Sequence, residues 1–280
     1  MKPLFIIGIL SFVFSCGKVI PRNDKMMHLS EKERILKYRI KSIYVYSIYP
    51  GEKAERQQAS FYDKKGNLTE SYYDQFKQRN LFFYNDREKL IKMILFVGKS
   101  CPDTTIYYYN NSGSFIAKGY HSIEKYDSTG KELEEDNDWG KVSFKYDKKG
   151  NLLLREDSIS SDSYRYDTDG HLVEEVNTIG GVDLSSGKQV YKYDRLGNNI
   201  EIDSYDPEFS EQWHLTNMSV RTYNEVGQLG SIRNLDSNKK VKQYSCYSYD
   251  NNGNDYVWFY YNNQGGLLSE KVYLYEYYKN

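Results

Sequence analysis

One short phrase recurs along this chain: a tyrosine, an Asp or Asn, two variable residues, a glycine, one further residue and an apolar one. It reads YDKKGNL from Tyr62, YNNSGSF from Tyr109, YDSTGKEL from Tyr126, YDKKGNL from Tyr146 and YDTDGHL from Tyr166. It continues as YDRLGNNI from Tyr193, YNEVGQL from Tyr223, YDNNGND from Tyr249 and YNNQGGL from Tyr261, and a copy without glycine, YNDREKL, starts at Tyr84. These ten copies, spaced 22, 25, 17, 20, 20, 27, 30, 26 and 12 residues apart, define a repeat architecture.

The phrase encodes a β-hairpin. Asp or Asn suits the first position of a type I turn, where its side chain accepts local backbone N–H groups. A glycine three residues on supplies positive φ, which adds a G1 bulge. Runs such as Ser143-Phe144-Lys145-Tyr146 alternate with period two, placing Tyr and Leu on one face and charged residues on the other. A spacing near 20 residues holds two strands and a second reversal. The Tyr-Asp turns should therefore line one edge of a sheet and the reversals the other, while the final spacing of 12 fits one strand and puts the Tyr261 turn on the opposite edge. The expected fold is all-β: an elongated, twisted antiparallel meander of hairpins.

The motif resembles the YD/RHS repeat, whose pattern is Tyr-Asp-x-x-Gly-Arg/Asn-Leu followed by a polar strand, from about Phe61 to the C-terminus. The resemblance implies a long antiparallel sheet, which in large family members curls into a hollow shell around a toxin. This chain is expected to be too short to close such a shell, so the hairpin architecture is carried over and the cargo role is not. A weaker resemblance, through YNNQGGLLSE, is to MORN-type hairpin repeats.

The first residues follow other rules. Lys2 precedes an apolar run from Leu4 to Phe14, then Ser15 and Cys16. The run is too short to span a bilayer and reads as a signal peptide. Its end, VFSCG, resembles the lipobox of bacterial lipoproteins, in particular those of Bacteroidota, and this resemblance implies cleavage before Cys16 and acylation of that residue. Residues 1–15 are thus read as the signal peptide and 16–29 as a lipidated tether. Residues 30–60 hold a short helix, opened by the capping box Ser30-x-x-Glu33, and a hairpin; residues 61–280 form the repeat domain. In the Bacteroidota lipoproteins that this N-terminus resembles, surface display goes with acidic residues just after the cysteine; none stands just after Cys16, so the resemblance implies the periplasmic face of the outer membrane.

Charges are interspersed and the net charge is −1, so nucleic acid is not an expected partner. The chain carries 30 tyrosines and only 5 prolines, which favours β-structure over disorder. Cys101 and Cys246 are separated by many strands of an open strip and are expected to remain unpaired. His28, His121, His171 and His214 have no metal-ligand or catalytic spacing. The Asp-rich turns at Asp167 and Asp250 superficially resemble calcium loops but lack the closing bidentate Glu. No catalytic residue, metal or cofactor is expected, and no enzyme.

Three reversals are longer than turning requires and carry aromatics: Asp136–Lys141 with Trp139, Asn177–Lys188, and Ser204–Asn217 with Phe209 and Trp213. They should share one edge, and Trp139, Phe209 and Trp213 are the candidate ligand-binding residues. The functional expectation is a non-enzymatic binding or scaffold lipoprotein of the cell envelope, held to the membrane by its lipid and contacting an envelope protein or glycan. Alternatives are a glycan-binding accessory lipoprotein, a structural spacer, or a hydrolase whose two carboxylates the sequence does not single out.

Overall fold

The structure, a computed structural model, describes residues 30–138, 140–179, 185–207 and 213–279. One helix, α1 (Glu31–Tyr38), precedes twenty strands. The first ten are β1 (Ile40–Ile48), β2 (Glu55–Tyr62), β3 (Leu68–Tyr73), β4 (Gln78–Tyr84), β5 (Leu90–Val97), β6 (Asp103–Tyr109), β7 (Phe115–Lys118), β8 (Ser122–Tyr126), β9 (Glu132–Asn137) and β10 (Gly140–Tyr146). The others are β11 (Leu152–Glu156), β12 (Ser160–Tyr166), β13 (Leu172–Ile179), β14 (Ser185–Tyr193), β15 (Asn199–Pro207), β16 (Trp213–Tyr223), β17 (Leu229–Asp236), β18 (Val241–Tyr249), β19 (Asp255–Asn262) and β20 (Leu267–Tyr277). Every strand pairs antiparallel with its predecessor, as the hairpin repeat requires.

The open meander expected from the sequence is corrected at its ends. β1 pairs with β20, from Ile40 opposite Tyr277 to Ile48 opposite Glu270, and closes the sheet into a 20-stranded antiparallel barrel. An open strip would leave two unpaired edges, and closure satisfies the backbone groups of both at once. Cys101, expected to remain unpaired, is exposed and its thiol is free.

The turns follow the expected chemistry. In the Tyr62 copy, Gly66 N–H donates to the Asp63 carbonyl at 3.0 Å and Asp63 N–H to the Asn67 carbonyl at 2.9 Å. The Asp63 carboxylate accepts from the N–H groups of Lys65 and Asn67 at 2.8 and 2.9 Å. Gly66 takes φ +77°, and the ladder shifts register between Phe61 and Tyr62, which is the bulge. In the copy without glycine, Glu88 adopts φ 59° regardless. Nine of these turns lie on one rim, because each joins an even-numbered strand to the next odd one. The turn after Tyr261 joins β19 to β20 and lies on the opposite rim, as the 12-residue spacing requires. A further turn of the same build, Asp236–Lys240, closes that rim between β17 and β18 with Lys239 at φ 63°, although neither Tyr nor Gly marks it.

The motif tyrosine has a structural task that the turn alone does not explain. Between β15 and β16 the ladder last pairs Glu201 with Val220, and beyond it the hairpins diverge toward the rim. There the Tyr223 hydroxyl donates to the Asn199 carbonyl at 2.8 Å. The same substitution of a phenol for a ladder bond recurs from Tyr84 to Leu68, Tyr109 to Leu90, Tyr146 to Glu132, Tyr193 to Leu172 and Tyr249 to Leu229. From β20, Tyr275 reaches the Asp255 carbonyl of β19 in the same way. Six of the ten motif tyrosines thus tie their turn to the preceding one.

Strands alternate in exposure: Val142, Phe144 and Tyr146 of β10 are covered, whereas Lys141, Ser143 and Lys145 are exposed. The covered face also bears α1, which identifies it as the concave one, where side chains converge. It carries few fully buried apolar groups: Ile35, Ile40 and Tyr62 form a small core beside α1, and Ala117 and Val142 lie elsewhere on the wall. Its polar residues pair along the wall, as where buried Asn80 donates to Ser71 at 3.0 Å. The named aromatic contacts of this face, such as Phe115 with Tyr126 and Tyr247 with Trp258, join adjacent strands and not opposite walls.

Candidate functional site beneath the N-terminal helix

Helix α1 positions the site. Ser30 and Glu33 form both halves of the expected capping box, and Arg39 ends the helix in the left-handed region at φ 53°. The helix is pinned to the Tyr-Asp rim by Lys32, whose Nζ bonds Asn67 Oδ1 and Glu88 Oε2, both at 2.7 Å. The Tyr62 hydroxyl donates to Glu31 Oε1 at 2.7 Å, while Ile35 packs against Ile40 and Tyr62. Between the helix and the concave wall of β1, β2, β19 and β20 lies a cavity of about 330 Å³. It falls in the range of roughly 300–1,000 Å³ typical of small-molecule sites.

The lining combines rings with polar and charged groups: Tyr62, Tyr73, Tyr273 and Tyr275, with Gln57, Gln58 and Ser60, and with Glu31, Arg34, Asp255 and Lys271. Gln57 reaches it because β2 carries a bulge opposite Val45 and Tyr46. Asp255 begins β19, and burial raises its carboxyl above the ordinary range, partly opposed by the facing Arg34 guanidinium. Burial likewise raises the phenols of Tyr62, Tyr273 and Tyr275, so they serve as hydrogen-bond donors at neutral pH. Beside the cavity, Trp258 lies 5.2 Å from Tyr273 and 5.1 Å from Tyr247, ring centroid to ring centroid. Lys271 Nζ sits 5.8 Å from the Trp258 centroid and 5.9 Å from that of Tyr260.

The candidate residues read from the long reversals fare differently. Trp139 and Phe209 lie outside the described residues, as do residues 1–29 with Cys16. Trp213 opens β16 on the rim opposite α1, half-buried, with Lys188 Nζ 5.5 Å from its ring centroid. Lys188 also sits over Tyr205 and pairs with Glu174 at 3.4 Å on the convex wall, so Trp213 belongs to a surface cluster and not to the cavity. The three reversals do share that rim, but strands run into them: β13 extends to Ile179 and β15 to Pro207.

Asp167, Asp169 and His171 bring ligand-type atoms within 4.8 Å of one another at an exposed turn. The Asp167 carboxylate is already used there: it accepts from the N–H groups of Asp169 and His171 at 2.9 and 2.8 Å and meets His171 Nδ1 at 3.1 Å. The turn itself therefore accounts for the cluster.

Sequence reasoning did not single out Glu31, Arg34, Asp255, Lys271 or Tyr273. For Asp255 a signal existed. It occupies the position where six other copies place Leu, so an acid stands on the covered face of the hairpin. No comparable mark identifies Arg34 or Lys271, because their meeting depends on ring closure.

No protein-family model matches this chain, and no curated protein matches it. Among solved structures it is similar to the crystal structure of TcdB2-TccC3-TEV, at 14% identity over 81% of this chain, with a TM-score of 0.43. This chain spans 14% of the length of that one. It is also similar to a porin-like protein from Bacteroides uniformis, at 10% identity over 85% of this chain and 98% of that one, TM-score 0.37. A porin-like protein from Bacteroides vulgatus aligns at 13% identity over 85% and 98% of the two chains, TM-score 0.35.

Proposed function

We propose that this protein is a non-enzymatic binding module of the cell envelope, lipid-anchored through Cys16 at the periplasmic face of the outer membrane. Its ligand is a small polar molecule with ring faces, a glycan fragment, bound on the concave wall beneath α1. The observation that carries the reading is the half-enclosed, tyrosine-lined cavity with amide, hydroxyl and carboxyl groups converging on it. Tyrosines offer flat apolar faces and a hydroxyl at modest entropic cost, which suits sugar rings flanked by hydroxyl groups.

Six strands reach 9–11 residues, but the shortest strands and the charges of the outer wall argue against a span. A membrane barrel needs strands of about 9–11 residues and an apolar outer band about 25 Å tall. Here β7 has 4 residues and β8 and β11 have 5 each. The convex wall carries ion pairs across strands, including Lys125–Glu134, Arg165–Glu174 and Lys192–Glu201.

The test is a thermal-shift screen of the full chain in detergent against a saccharide panel, repeated with Tyr273→Ala. The expected result is a stabilising saccharide whose effect is lost in the variant while the far-ultraviolet circular dichroism is unchanged. A saccharide that stabilises both proteins equally places binding elsewhere and overturns the cavity as the site.

A further inference from the structure

Four charged residues line the cavity: Glu31, Arg34, Asp255 and Lys271. The Glu31 carboxylate is engaged by the Tyr62 hydroxyl at 2.7 Å. Burial raises the Asp255 carboxyl above its ordinary range, opposed by the facing Arg34. Arg34 and Lys271 form no ion pair with any described residue, and Lys271 is instead held over the faces of Trp258 and Tyr260. A ring face attracts an ammonium without neutralising it. Two permanent cations without an ion-pair partner among the described residues thus line one half-enclosed space. Such cations gain most from an anion that arrives with its own hydrogen-bond geometry.

We infer that the cavity beneath α1 takes an acidic saccharide, whose carboxylate is received by Arg34 and Lys271 while its ring lies against Tyr73 and Tyr273. The inference rests on the proposed function, since it names the ligand class of the same cavity. Gln58 and Ser60 are placed to meet the sugar hydroxyls, and Arg34, projecting from α1, makes the helix part of the site rather than a cover over it.

The experiment is isothermal titration of the full chain in detergent with trigalacturonate and with its methyl ester, which keeps the rings and removes the charge. The expected result is that the acid binds about tenfold or more tightly than the ester, the scale of one charge-assisted hydrogen bond. Lys271→Met and Arg34→Gln should each erase that preference. Lys271→Arg, which keeps the charge, should retain the preference and exclude a folding defect as the cause. Equal binding of acid and ester, with both lost in Tyr273→Ala, overturns the acidic class and leaves the cavity as the site. Binding of neither overturns both readings.

Discussion

The phenol-to-carbonyl bonds at the rim allow a quantitative test. Tyr223→Phe keeps the ring and removes only the hydroxyl that donates to the Asn199 carbonyl at 2.8 Å. A neutral hydrogen bond contributes roughly 0.5–1.5 kcal/mol net, and a partly buried carbonyl left without its donor costs about 1–3 kcal/mol. Because the ladder between β15 and β16 has already stopped at Glu201 and Val220, no backbone N–H stands ready to replace the phenol. The expected loss is therefore about 1–2 kcal/mol. Tyr193 and Tyr249 make equivalent bonds one hairpin away on either side, so the triple Phe variant should lose roughly 3–5 kcal/mol if such separated sites add. Tyr108→Phe is the control, since that ring is 56% exposed on the convex wall. Urea unfolding followed by circular dichroism measures each difference. If Tyr223→Phe matches Tyr108→Phe within about 0.3 kcal/mol, the tyrosines are ring-packing residues only and the account of the repeat given above is wrong.

Alkaline pH should act on the same bonds together. Burial raises the phenols of Tyr84, Tyr109 and Tyr146 above their ordinary value near 10. Their contribution should be complete below about pH 10, where the unfolded phenols are also protonated, and be lost as pH rises through the higher folded values. A urea midpoint that stays flat up to pH 11.5 would refute this. At the turns, Gly170 has φ +93° with open space around it, so Gly170→Ala should cost about 1–2 kcal/mol from backbone strain alone. Lys239 adopts φ 63° without being glycine, and Lys239→Gly should stabilise by about 1 kcal/mol, read as a higher thermal midpoint. Cys16→Ser should move the protein from the membrane pellet to the soluble fraction; retention in the pellet would argue against lipid anchoring.

Legibility was uneven, for physical reasons. Hairpins, turn type, rim assignment and the displaced final turn follow from Asp, Gly and spacing, because a turn is decided within about five residues. The turn at Asp236 escaped notice since Lys239 bears the strain that glycine usually spares. Closure was missed because it depends on accumulated twist and on Ile40–Ile48 meeting Glu270–Tyr277, a register that no local pattern specifies. The cavity inherited that miss: Arg34 and Lys271 are 237 positions apart in the sequence and become neighbours only through the seam. Asp255, by contrast, was legible as an acid standing in a leucine's place.

The seam also sets an order of assembly. Every other strand interface joins neighbours in the chain, so a polypeptide folding from its N-terminal end can add strand to strand, each closing a short loop. Only β1 must wait for Leu267–Tyr277, the last of the twenty strands in chain order. Until then the growing sheet is a curl with an unsatisfied leading edge, open to a strand from a second molecule. Molecules truncated before Leu267 would carry that edge permanently. They would be expected to exchange strands and pair with one another, so that the final eleven residues of β20 act, in effect, as the chain's guard against its own copies.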